Sequence, residues 1–337
     1  MKKIILIIYL FMFVSCYISA QQNKPQGNNI KELMEIEWNT EDGITLKDYP
    51  SGRLGIAGYE IISNNEVAFL CKVEKKIKIF NIETGSITNQ FSINHYPKRF
   101  TYDSINQKFY VLNRKKIDVY GVEGQQIISF EINKKFQFIV RLESFNGNVY
   151  LLSAEQYTYQ LTNNGVVLYA EDQLQTRTTG WILNENIYGR TYIKNPYTYT
   201  LEILENNTVV TSKDFSINKK IGTVKLIGNS GDLYYIRLSY FLQEAPIKSG
   251  SRLIIFSKNS ETIVQQIDLP NITYTRNRDD IKTFGEKLFQ LLTTPQNAVL
   301  FELCNESFTE NVLYPEKYNY EYHFNLNNDD SIPIENN

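Results

Sequence analysis

The sequence predicts an all-β protein assembled from repeats, and three observations carry that reading. Tyr and Phe are abundant, 24 and 19 of 337 residues, while Met occurs only 3 times; aromatic and β-branched side chains suit half-buried pleated strands. Short Tyr/Ile/Val/Leu/Phe runs alternate with turns rich in Asn, Gly, Asp and Glu, and no apolar stripe of helical period persists. The runs also recur along the chain at a near-constant interval. A content of 42% hydrophobic residues is enough for a large core. With 35 Lys+Arg against 37 Asp+Glu, the formal net charge is −2. That balance excludes a globally basic nucleic-acid binder and a highly acidic disordered chain.

The N-terminus reads as an address. Lys2 and Lys3 precede the uncharged run Ile4–Val14. It is too short for a bilayer span, which needs about twenty residues, and has the form of a secretory signal. Two processing readings stand side by side. In one, the small-residue site Ile18-Ser19-Ala20 leaves a mature chain beginning at Gln21. In the other, Phe13-Val14-Ser15-Cys16 resembles a bacterial lipobox, with Phe13 where Leu is usual, and Cys16 is the lipidation candidate. Residues 1–20 are therefore assigned to a signal peptide and 21–31 to a polar tether. Residues 32–326 form a single domain and 327–337 a flexible tail. Localisation follows as exported: periplasmic, anchored to the outer membrane, or extracellular.

The repeat begins with a turn followed by an aromatic or aliphatic strand. It is seen as EVAFL at Glu66, KFYVL at Lys108, NVYLL at Asn148, NIYGR at Asn186, DLYYI at Asp232 and KLFQL at Lys287. The spacing is roughly forty residues, lengthened in the last two intervals by insertions after Ser239 and Asn271, and four strands of that total length make a β-propeller blade. Each unit continues with a further strand pair, such as KIKIF and SITNQFSIN in the first, joined by tight-turn residues. The outer strand ends F-S-I-N, F-E-I-N-K-K and F-S-I-N-K-K at Phe91, Phe130 and Phe215.

With these residues in view, Phe109 to Gln126, through Tyr110-Val111-Leu112-Asn113, Ile117-Asp118-Val119-Tyr120 and Gly124, resembles a blade of the YVTN/NHL-like bacterial propellers. Ile77-Lys78-Ile79-Phe80 and Thr84-Gly85 match more loosely. The resemblance spans residues 55 to 305 and implies a fold, with no catalytic meaning. Six four-stranded blades are countable, with seven as the alternative. ELMEIEWN (Glu32 to Asn39) and GITLKDYP (Gly43 to Pro50) are expected to form a hairpin before the first blade. With the C-terminal VLYPEKYNYEYHFNL, these end pieces would close the ring so that no sheet edge is left open.

The chemical inventory is thin. His95 and His323 lack metal-ligand spacing, and no phosphate loop, EF-hand or nucleophile motif is present. No catalytic residue, metal or cofactor is assigned. Asp279 and Asp280 sit beside Arg276 and Arg278 and read as a self-neutralised loop. Cys71 and Cys304 lie in apolar runs and are expected as buried free thiols, bridged only if the fold joins the two ends of the chain.

Charge placement says more. Loops between blades, and those between the second and third strands, belong on one face of a propeller. There they collect Lys98, Arg99, Arg114, Lys115, Lys116, Lys134, Lys135, Arg177, Lys219 and Lys220, with Tyr96 and Tyr274 among them. The opposite loops carry an excess of carboxylates. A face of like charge concentrates anions within a Debye length of roughly 8 Å. The expectation is a monomeric envelope module for binding or scaffolding. Its basic face would engage an anionic partner: polysaccharide, lipid headgroup or acidic protein surface. Nucleic acid is not expected, and membrane association only through the lipid. The alternative is a hydrolase or lyase acting on an anionic carbohydrate in the central channel.

Overall fold

A computed structural model describes residues 30–49, 52–113, 116–132, 139–153, 157–171, 179–184, 187–206, 208–244, 247–270 and 280–303. The chain forms β1 (Lys31–Glu37), then the small hairpin β2 (Lys47–Tyr49) and β3 (Gly52–Leu54). Blade one follows as β4 (Ile56–Ser63), β5 (Glu66–Cys71), β6 (Lys76–Asn81) and β7 (Ile87–Ser92). Blade two is β8 (Arg99–Asp103), β9 (Lys108–Leu112), β10 (Lys116–Gly121) and β11 (Gln126–Glu131). Blade three is β12 (Ile139–Phe145), β13 (Asn148–Ser153), β14 (Tyr157–Thr162) and β15 (Gly165–Glu171). Blade four is β16 (Thr179–Asn184), β17 (Ile187–Asn195), β18 (Thr198–Glu205) and β19 (Thr208–Ser216). Blade five is β20 (Ile221–Ser230), β21 (Leu233–Glu244), β22 (Ile247–Ser257) and β23 (Thr262–Leu269). Blade six joins β24 (Ile281–Phe284), β25 (Lys287–Thr293) and β26 (Asn297–Leu303) to β1. The protein is a six-bladed β-propeller.

Every second strand falls where the repeat places it. These strands and their third-strand partners are rich in apolar residues because each is sandwiched between neighbouring blades; β5 and β6 are buried almost throughout. The outer strands lie at the rim and alternate, as in β23. This is the two-sided against one-sided burial that sheets show generally. Six apolar clusters result, one at each blade junction. The repeated Phe of the outer strand explains itself here. Phe91 reaches into blade two, 5.6 Å from Phe109 and 5.9 Å from Tyr120 between ring centres. Phe215 meets Phe256 of blade five edge-on at 5.4 Å. Edge and tilted contacts of this kind add roughly 0.5–1.5 kcal/mol to plain burial.

An N-terminal strand closes the ring in the last blade as expected, but not by way of the expected hairpin. β1 turns away from Gly43–Tyr49 and pairs antiparallel with β26, Lys31 facing Glu302 and Glu37 facing Asn297. Lys31, counted with the tether, already belongs to this strand, and Ile30 before it is buried. Trp38 keeps a single parallel bridge to Ile44, and its indole N–H donates to the Thr294 carbonyl at 2.9 Å. Lys47–Tyr49 pairs instead with Gly52–Leu54. The reason is burial: Met34 and Ile36 enter the core between blades six and one, which a surface hairpin could not supply. The C-terminal segment proposed to share in closure lies outside the described residues.

The insertion after Ser239 is also not a loop. It lengthens β21 and β22 into a continuous ladder reaching Glu244↔Ile247. At the rim, the outer strands of blades one, two, four and five carry an extra residue just after the turn, at Thr88, Ile127, Val210 and Val264. Such bulges twist an edge out of register with any flat partner strand.

Candidate functional site

The first strands of all six blades converge on a central cavity of about 420 Å³. Glu60, Thr101, Glu143, Trp181, Gly228 and Lys282 represent the six blades in its wall. The lining continues through Ser104, Asn146 and Gly285 in the turns between first and second strands. The cavity therefore lies toward that face of the disk.

One polar network crosses its floor. Lys282 Nζ lies 2.9 Å from Glu60 Oε1 and 3.8 Å from Glu143 Oε1. Glu143 in turn receives the Arg141 guanidinium through both oxygens, at 2.7 and 3.2 Å. Arg141 stacks 4.1 Å from the centre of the Trp181 ring and donates to the carbonyls of Leu226, at 2.9 Å, and Ile227. Thr101 Oγ1 accepts the Ser144 N–H at 3.0 Å. The network thus touches every blade. Two carboxylates and two cations sum to no net charge, which is how ionised groups survive at sites so withdrawn from water. A planar guanidinium suits the position because only it can fork onto a carboxylate and lie flat on an indole at once.

The predicted lysine face is a separate feature. The loop before β8 hydrogen-bonds to strand-turn backbone, Ile93 N to Lys75 O and Lys98 N to Leu112 O, both 2.8 Å. Interblade loops and second-to-third turns are therefore neighbours on the side away from the cavity lining. Tyr96 and Lys98 are exposed there, Arg99 is half-buried at the start of β8, and Lys72 lies over the Tyr96 ring at 5.1 Å. Lys116 is drawn onto Glu131 at 2.8 Å in the sheet, so its charge is answered locally. Lys219 and Lys220 sit over Tyr240 and Phe241 of blade five, at 4.7 and 5.9 Å. Their loop is fixed on both sides, by Ile221 N to Pro196 O and Phe241 N to Lys220 O. Arg114, Lys115, Lys134, Lys135, Arg177, Tyr274 and Cys16 lie outside the described residues.

Two expectations about carboxylates change. Asp280 is bound by Arg237 of β21, a partner in blade five outside its own loop. Asp103, one of the carboxylates assigned to the opposite loops, is buried. It caps its own turn by accepting the Ile105 and Asn106 N–H groups at 3.1 and 3.2 Å. Cys71 is a free thiol whose burial pushes its pKa up, the setting of an inert cysteine.

Sequence reasoning missed the cavity network. The signal was a charge inside each of several apolar inner strands: Glu60 in GYEII, Arg141 in IVRLE and Lys282 in IKTF. These occupy different offsets in their blades, so the repeat hid them.

No family model and no curated protein matches the sequence. Among solved structures, a Bacteroides fragilis protein whose export is predicted aligns at TM-score 0.50 and 10% identity, over 84% of this chain and 98% of that one. A chain of the mitotic checkpoint complex aligns at TM-score 0.50 and 12% identity, over 84% and 95%. Streptogramin B lyase is a looser match, at TM-score 0.42 and 12% identity over 79% and 96%. Likeness at such identity is a likeness of fold, and it places this chain among the β-propellers.

Proposed function

We propose that the protein is an exported binding or scaffolding propeller of the cell envelope that engages an anionic partner through its lysine face. Residues 1–20 direct export, and Cys16 is the anchor if the lipobox reading holds. The observation that carries the proposal is the fixed pair Lys219–Lys220. Each ammonium is seated over an aromatic ring, and the loop that carries both is held by backbone bonds to both flanking hairpins. Cations held in place lose less side-chain entropy on meeting an anion than free lysines do. The partner chemistry is acidic polysaccharide, lipid headgroup or acidic protein surface, and the unit is a monomer. In the channel, Glu60 and Glu143 are each engaged by a cation. That pairing favours binding over the alternative of a hydrolase or lyase, which needs a carboxylate free to act on substrate.

Retention on an anionic matrix tests the proposal. Wild type is expected to elute late and the variant carrying Lys98→Glu, Lys219→Glu and Lys220→Glu in the void, with elution advancing as salt rises. Equal retention of the two overturns it. Mass analysis of the mature N-terminus separates Gln21 from acylated Cys16.

A further inference from the structure

The central cavity has the make-up of a ligand site, and its chemistry differs from that of the lysine face. Its floor is ionic yet balanced, Lys282 lying between Glu60 and Glu143 with Arg141 behind. An anionic ligand would meet two carboxylates around the one lysine of the lining, and a cationic ligand would compete with that lysine for the same oxygens. Either would leave a buried charge unpaired, a cost of several kcal/mol. A neutral ligand rich in hydroxyls avoids both, since each hydroxyl can donate to a carboxylate and accept from an ammonium.

The upper wall suits the same class. The hydroxyls of Tyr102, Ser104, Ser144 and Thr283 and the side-chain amide of Asn146 line the cavity and form no hydrogen bond with other described residues. They come from blades two, three and six, and Phe145 and Phe284 line the same cavity. Polar groups in several directions beside apolar ring faces match a sugar, whose hydroxyls point outward around C–H faces. A volume of about 420 Å³ accommodates one or two pyranose rings. We infer that the cavity binds a neutral mono- or disaccharide, or the terminal residue of a neutral glycan, by way of Glu60, Glu143, Lys282 and the uncommitted hydroxyls above them.

Saturation-transfer NMR on the purified protein tests this with glucose, galactose, mannose, N-acetylglucosamine, maltose and cellobiose. Glucuronate and glucosamine serve as charged controls. The expected result is transfer to at least one neutral sugar, with affinity changing less than about twofold when salt is raised tenfold. Both charged controls should bind at least about tenfold more weakly. Ser104→Trp, in an exposed turn at the rim, closes the mouth without touching the ion network. It should weaken binding by about tenfold or more while the thermal midpoint stays put. The lysine-face triple variant should bind the sugar as wild type does. No transfer from any neutral sugar, tighter binding of glucuronate, or full binding by a folded Ser104→Trp overturns the assignment. The lysine face would stand or fall separately, because its binding is salt-sensitive and this one is not.

Discussion

The guanidinium of Arg141 of the third blade lies over the Trp181 ring of the fourth, 4.1 Å from its centre, while its Nη1 donates to the Leu226 carbonyl of the fifth. One side chain thus ties three blades together across the axis. The junction of blades three and four has the smallest described apolar cluster, Tyr150, Leu152, Trp181 and Ile182 with few neighbours. The stacked guanidinium supplements it. Arg141→Ala should destabilise the fold by about 3 kcal/mol, because it leaves Glu143 with only the longer Lys282 contact and strands two carbonyls as well as removing packing. Arg141→Lys should recover little, since an ammonium cannot make the bidentate and stacked contacts together. Urea unfolding measures both.

Removing the closing strand should do more than remove its contacts. Without Lys31–Glu37, β26 becomes an unprotected edge and the core between blades six and one opens. A chain starting at Asn39 is expected to self-associate on size-exclusion chromatography. The single change Ile36→Ala should cost about 3 kcal/mol while leaving the chain monomeric.

Gly124 is a position where only glycine fits. Its φ is +85°, and an added Cβ would sit 2.3 Å from Cβ of Phe91, the outer-strand residue of the preceding blade. Gly124→Ala therefore combines left-handed strain with overpacking, a loss of about 2–3 kcal/mol in a thermal or urea melt. Gly165, also at positive φ, meets nothing within 4 Å, so its replacement by Ala should cost about 1 kcal/mol from strain alone.

Lys194 and Thr200 both donate to Asp214 on the surface of blade four, at 2.5 and 2.6 Å. The Lys194 hydrogen bond, then that of Thr200, holds the carboxyl below its ordinary value of 3.8. A depressed pKa in the folded state favours folding once the pH is above the unfolded value. The contribution is lost as pH falls through the lowered folded value. Asp214→Asn should leave stability unchanged with pH in this one respect, so wild type and variant melting curves converge as pH falls below the lowered folded value. The difference above that is small, because both partners are open to solvent.

How much of this could be read from the chain depends on what each strand touches. Second strands such as Glu66–Cys71 and Lys287–Thr293 announce themselves because two-sided burial favours runs of apolar residues. The Phe91 and Phe215 motif was visible as a repeat, and the rings that receive those side chains give it its meaning. Inner strands were harder to see. Facing a polar cavity on one edge, they carry Glu60, Arg141, Glu143 and Lys282 at unequal offsets, which breaks the periodicity that marks the rest. The rim bulges at Thr88, Ile127, Val210 and Val264 left no trace, since an extra residue in a strand reads as ordinary turn variation.

The amino-acid sequence by itself determined the all-β class and the blade period. These follow from local pattern: side-chain type sets strand propensity, and turn spacing sets the repeat. Only the tertiary structure decided that six blades close through Lys31–Glu37 pairing with Asn297–Leu303. Only it showed that Asp280 belongs to Arg237, and that charges from three inner strands, those of blades one, three and six, meet in one neutral network. A closing strand's partner, and counter-ions such as Glu60 for Lys282 or Arg237 for Asp280, are chosen by the competition for burial among segments far apart in the chain, and no window of sequence contains both contestants.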